Sequence, residues 1–207
     1  MITIRCWLQQ LFKCVFDRAC FYNIVFNPEM INILFDNDKT IPLQFNIKDI
    51  KLIACKKTIE NIFKFYLNHL SNSEYLYINF KCVDITDHYI NILFNIIINK
   101  GNKILKISVH GYELSKLHDL IIEYIITSKD CSNMVPKIVF LRSDFPNFKL
   151  SERAENVEID ASTYTYKICT KYQISNIYNP RVRFEICKKE DRRGWIFWNK
   201  VEIMKKN

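Results

Sequence analysis

Short β-rich runs alternate with amphipathic stretches along the first two-thirds of the chain, and no other feature constrains the fold as much. The runs are FYNIVF (Phe21–Phe26), IKLIAC (Ile50–Cys55), YLYINF (Tyr75–Phe80), ILKISVH (Ile104–His110) and PKIVFL (Pro136–Leu141). Their centres recur about every 28 residues, and a fixed period of that size marks stacked repeats. IPLQFNI, at Ile41–Ile47, is also extended in character.

The intervening stretches carry helical periodicity. In KKTIENIFKFYLNHLS, the residues Ile59, Ile62, Phe63, Tyr66, Leu67 and Leu70 line one face, with Thr58 as N-cap. Leu117, Leu120, Ile121, Tyr124 and Ile125 repeat that stripe. ITDHYINILFNIIINKGN is apolar nearly all round, which predicts a helix buried between neighbours, with Gly101 at its end. The pentapeptide INILF occurs twice, at Ile31–Phe35 and Ile90–Phe94. The first copy follows Asn27-Pro28, an N-cap with proline at the first helical position, so both copies read as helix after a strand.

A strand–helix–strand alternation forces right-handed crossovers, which predicts five parallel strands in one sheet with helices on its other side. The expected fold is therefore α/β: an irregular, leucine-rich-repeat-like strand–helix solenoid over residues 1–142. Residues 143–207 predict a loop and β-rich cap continuous with it. Within that cap Val157–Asp160 and TYTYKICT read as strands. RVRFEIC and WIFWNKVEIMKK read as an antiparallel β-hairpin across the charged tip KKEDRRG. Such a hairpin suits the open end of a solenoid, where a different outer face is needed.

Three glycines exclude a Gly-rich phosphate loop, so no nucleotide fingerprint can be written. The eight cysteines have irregular spacing and no C-x-x-C, which argues for free thiols rather than disulfides or zinc. No stretch reaches the length of a membrane span, no clean signal-peptide core opens the chain, and no Asn-x-Ser/Thr sequon occurs. An intracellular, reducing location fits, with no membrane partner.

Candidate chemistry is sparse. His88 after Asp87, six residues beyond Cys82, invites a Cys–His pair but reads better as a solvated first turn of a helix. His110 and His118 flank a strand–helix loop without further metal ligands, and His69 at a helix end complements the dipole. No cofactor, no catalytic residue and no metal site is predicted.

The stretches NPEMINILFDNDKTIPLQFNI, YINILFNIIINKGNK, LHDLIIEYIITSKDCSNMVPKI, FPNFKLSERAE and YQISNIYNPRVRF resemble a large family of F-box-type proteins expanded in root-knot nematodes. The resemblance implies a variable, leucine-rich-repeat-like region that acts as substrate receptor of a Skp–cullin ubiquitin ligase. The F-box that opens such proteins, with its Leu-Pro pair, is not recognisable in this chain, and neither is the repeat consensus L-x-x-L-x-L-x-x-N. A Skp-type adaptor as partner therefore lacks its usual anchor.

The basic character is concentrated at the end of the chain: residues 181–207 hold nine basic and four acidic residues, a net +5 of the chain's +8. Arg192, Arg193, Trp195 and Trp198 crowd the hairpin tip there. Arginine beside tryptophan is the composition of protein hot spots, and basic residues interleaved with aromatics also track and stack single-stranded nucleic acid. The plain alternative is a charged, soluble cap. The expected function is a non-enzymatic protein–protein interaction domain with an unknown protein target, and the alternative is a nucleic-acid-binding module using that hairpin.

Overall fold

A computed structural model describes residues 2–22, 26–35, 43–71, 73–142, 150–162, 167–191 and 198–206. In chain order the elements are α1 (Ile2–Lys13), β1 (Val15–Tyr22), α2 (Pro28–Leu34), β2 (Asn46–Cys55), α3 (Ile59–His69), β3 (Tyr75–Cys82) and α4 (Asp87–Asn99). There follow β4 (Lys106–His110), α5 (Ser115–Thr127), β5 (Lys137–Leu141), β6 (Glu155–Ser162), β7 (Lys167–Ser175), β8 (Arg183–Asp191) and β9 (Trp198–Lys206).

Among the described residues nine strands form one sheet, ordered β1-β2-β3-β4-β5-β9-β8-β7-β6. The first four pairings are parallel, the last four antiparallel. The strand–helix alternation thus does set five strands side by side in chain order. The expectation of a solenoid closed by a hairpin cap is overturned. β9 hydrogen-bonds antiparallel to β5, from Lys137↔Met204 to Leu141↔Lys200, so the C-terminal strands continue the sheet instead of covering its end. The physical reason is that the helical period stops at α5. From Glu155 onward the strands are eight or nine residues long and joined antiparallel, which needs no crossover helix.

The hairpin expected at the open end of a solenoid lies inside the sheet. β8 and β9 pair as expected, ending at Asp191↔Trp198, but each has a neighbour on both sides. The two edges of the sheet are β1 and β6. The first strand also lies earlier than Phe21–Phe26: β1 begins at Val15, and positions 23–25 lie outside the described residues.

Apolar side chains on one face of the sheet form a single core with the helices. Leu52, Leu76, Ile78, Phe80, Ile107, Val109, Ile138, Phe140, Ile203, Ile186 and Ile174 meet Leu8 and Phe12 of α1, Ile31 of α2, Ile62 and Phe63 of α3, Leu93 and Ile97 of α4, and Leu117 and Ile121 of α5. Ring contacts stitch the layers together, among them Phe63 with Phe80 and Phe21 with Phe65. Burial on this scale supplies most of the driving force for folding.

Local signals act in different ways. The Asn27 side chain accepts from the Glu29 N–H at 3.0 Å, with Pro28 opening α2, as the sequence predicts. Thr58 makes no side-chain cap to α3; its hydroxyl turns back to Cys55, accepting from that residue's N–H at 3.1 Å. Gly101 follows α4, but what demands glycine there is crowding. A Cβ would sit 2.2 Å from the Met134 carbonyl oxygen, because the Gly101 N–H donates to the Asn133 carbonyl at 2.7 Å.

One buried side chain ties the parallel half to the antiparallel half. Asn176, just after β7, is 2% exposed. Its amide NH2 donates to the carbonyls of Ile125 (2.7 Å) and Ser128 (2.8 Å) at the end of α5. Its carbonyl accepts from the N–H groups of Tyr178 and Asn179, both at 2.9 Å. Orphan carbonyls at a helix C-terminus and a tight turn before β8 are satisfied together. Among the described residues no helix is long and apolar enough to cross a membrane.

Candidate functional site

Helices cover one face of the sheet, and the pleat turns every second residue to the other. Strand registers arrange that helix-free face as a grid. One row runs Arg18, Asp49, Tyr75, Lys106, Lys137, Met204, Glu185 and Gln173 across β1 to β7. The next runs Cys20, Lys51, Tyr77, Ser108, Val139, Glu202, Cys187 and Lys171. Beyond it lie Asn79 and His110, directly paired. Val139 and Cys187 are buried yet stand apart from the core cluster, as expected of residues on the opposite side of the sheet.

The two halves of this face differ in their electrostatics. On the antiparallel side two carboxylates are each held by two lysines: Glu202 by Lys200 (3.0 Å) and Lys137 (3.6 Å), Glu185 by Lys206 (2.8 Å) and Lys171 (3.4 Å). Burial pushes both carboxyls up, but the paired ammonium groups outweigh it and hold both below their ordinary value. The four lysines of these pairs are thus engaged with carboxylates.

On the parallel side, Arg18, Cys20, Asp49, Ile50, Lys51, Tyr75 and Tyr77 line an open depression of roughly 570 Å³. Arg18 lies 3.7 Å from Asp49. The Lys51 ammonium stands over the Tyr77 ring, 5.3 Å from its centroid, and the Lys106 ammonium over Tyr75 at 4.7 Å. Among the described residues neither lysine has a carboxylate partner. The Tyr77 hydroxyl lies 3.1 Å from His110 Nδ1. Burial, then the neighbouring Tyr75, push the Tyr77 phenol above its ordinary 10, so it stays a neutral hydroxyl.

The residues singled out from the sequence fare unevenly. Arg192, Arg193 and Trp195 lie outside the described residues. Trp198 opens β9, and only its backbone is described. His88 lies in the first turn of α4 and is 65% exposed, as expected, with Glu60 3.8 Å away. His110 and His118 fall on opposite faces: His118 is buried with its ring against Phe140, so the two cannot share a metal. His69 is buried too and donates from Nδ1 to the Leu43 carbonyl at 2.9 Å. Among the described residues no group of three or more His, Cys, Asp or Glu could hold a metal ion.

Sequence reasoning missed the set Arg18, Lys51, Tyr75, Tyr77, Lys106 and His110. The signal was present in the strands themselves. In YLYINF, Leu76, Ile78 and Phe80 are the core phase, and Tyr75 and Tyr77 occupy the alternate phase.

A family model described as a domain of unknown function (DUF8381) matches residues 1–81, from α1 into β3. No curated protein and no solved structure matches the chain. The matched segment carries Arg18, Asp49, Lys51, Tyr75 and Tyr77, the lining of the depression, and it supplies no link to F-box-type or leucine-rich-repeat proteins.

Proposed function

We propose that the chain is a non-enzymatic protein-interaction domain that docks its partner on the helix-free face between β1 and β4. The observation that supports this reading is the contrast within that face. On the antiparallel half Glu185 and Glu202 are each matched by lysines, whereas Lys51 and Lys106 rest on tyrosine rings with no carboxylate partner among the described residues. Tyr75, Tyr77 and Arg18, which line the depression there, are of the residue types that protein interfaces enrich. Catalysis gains no comparable support: the Tyr77 phenol beside His110 moves away from the range of an activated nucleophile. A nucleic-acid track is opposed by Asp49, Glu202 and Glu185, which place negative charge among the cations where phosphates would run. An intracellular site of action belongs to the same proposal, on the irregular spacing of the cysteines in the sequence.

The test is a photoreactive phenylalanine analogue placed at Cys20, in the depression, or at Lys64, on the exposed side of α3, in extract of the organism that makes the protein. A crosslink from position 20 that is saturable, proteinaceous and insensitive to nuclease is expected, with none from position 64. Equal crosslinking at both positions, or loss on nuclease treatment, contradicts the reading. The narrower role implied by the resemblance, substrate receptor of a Skp–cullin ubiquitin ligase, requires a Skp-type adaptor in the same crosslinked complex.

A further inference from the structure

Resting on that docking reading, we propose that the depression between β1 and β3 takes an acidic, extended segment of the partner, with carboxylates meeting Lys51 and Lys106 across the two tyrosines. The first argument is charge. Asp49 is countered by Arg18, which leaves Lys51 and Lys106, with Arg142 near Tyr77, as cations without a carboxylate partner among the described residues of this part of the face. An ammonium resting on an aromatic ring keeps N–H donors for a carboxylate, and the ring already holds it in place, so less freedom is lost on binding.

The second argument is spacing. Lys51 is opposite Tyr77 on one side of β3, and Lys106 is opposite Tyr75 on the other. Two strand separations across and one two-residue step along put their Cα atoms about 12 Å apart, the reach of three to four residues of extended chain. Carboxylates that far apart on one face of a strand-like segment fit both lysines at once. RNA is less suited: each lysine already stands over one face of its tyrosine, which leaves at most the opposite face of each ring for base stacking.

The experiment uses fluorescein-labelled decapeptides of alternating Glu and Val, the Gln–Val isostere, and a ten-nucleotide uridine RNA, titrated with the full chain by fluorescence anisotropy. Lys51→Glu/Lys106→Glu is compared with Lys64→Glu/Lys116→Glu, which carries the same charge change on the helix side. Lys51→Gln/Lys106→Gln serves if the reversal disturbs folding by circular dichroism. The Glu–Val peptide is expected to bind, to lose about tenfold in affinity on the face variant, and to lose less than about twofold on the helix-side variant. Equal losses in both variants, equal binding of the Gln–Val peptide, or no binding of the Glu–Val peptide overturns the acidic-segment proposal. If a protein crosslinks from position 20 while the Glu–Val peptide fails, the docking reading stands and only the acidic chemistry falls. Tighter binding of the RNA, lost in the face variant, removes both.

Discussion

Replacing Asn176 by alanine should cost this protein a large part of its stability. The side chain makes four bonds of 2.7–2.9 Å, two from its NH2 to the Ile125 and Ser128 carbonyls and two into its carbonyl from Tyr178 and Asn179. Alanine removes both halves of the amide while the four backbone groups stay where they are, in a site that is 2% exposed at the residue. At about 1 kcal/mol net per bond, the loss is about 4 kcal/mol. With a urea slope of about 2.5 kcal/mol per molar for a chain of this size, the unfolding midpoint falls by about 1.6 M. Far-UV circular dichroism across a urea series reads this directly. Asn176→Asp keeps the shape but turns a carboxylate toward two carbonyls, so it should lose at least as much. A loss under about 1 kcal/mol in Asn176→Ala, or tolerance of Asn176→Asp, would refute the reasoning that this side chain joins α5 to the β7–β8 turn.

Gly101→Ala should destabilise by about 2–4 kcal/mol, seen as a lower thermal midpoint, because the added Cβ meets the Met134 carbonyl oxygen and backbone must move; an unchanged midpoint contradicts the close approach. Glu185 and Glu202 have folded-state values below their ordinary 4.5, so their ion pairs contribute stability above that pH and lose it as pH falls through the folded values. Glu185→Gln/Glu202→Gln should therefore lower the thermal midpoint at pH 7 and flatten its decline on the acid side of 4.5, and parallel pH profiles would contradict this. Reductant should leave the thermal midpoint unchanged, since the described cysteines are free, and a fall of many degrees would reveal a staple. In thiol labelling, exposed Cys6, Cys14 and Cys20 should react at once and buried Cys131 and Cys187 only as the chain opens.

Where a segment buries one face against helices, its sequence declares it. Asn27-Pro28 opens α2, the stripe from Ile59 to Tyr66 forms α3, and Leu117 with Ile121 and Ile125 forms the inner face of α5. β1 escaped because it is an edge strand: VFDRACFY leaves most of its side chains in solvent, and Asp17 and Arg18 break the apolar run that marks the interior strands. The C-terminal half escaped because the neighbour of a strand is set by contacts far along the chain. KIVFL of β5 did hold a clue. Ile138, Val139 and Phe140 are all buried, a continuous apolar run that suits a central strand better than the last rung of a repeat. The candidate face was legible only after register was known, since Lys51, Tyr77, Tyr75 and Lys106 become neighbours through strand pairing and not through sequence spacing.

A lysine footprint reports whether the partner sits on the helix-free face between β1 and β4. The chain is acetylated with an amine-reactive reagent, free and then in complex with the partner that crosslinks from position 20, and each lysine is quantified by mass spectrometry. The account predicts that Lys51 and Lys106 are protected in the complex while Lys64 and Lys116, half-exposed on the helix side, react as before. Protection of Lys64 and Lys116 with Lys51 and Lys106 still reactive would contradict it.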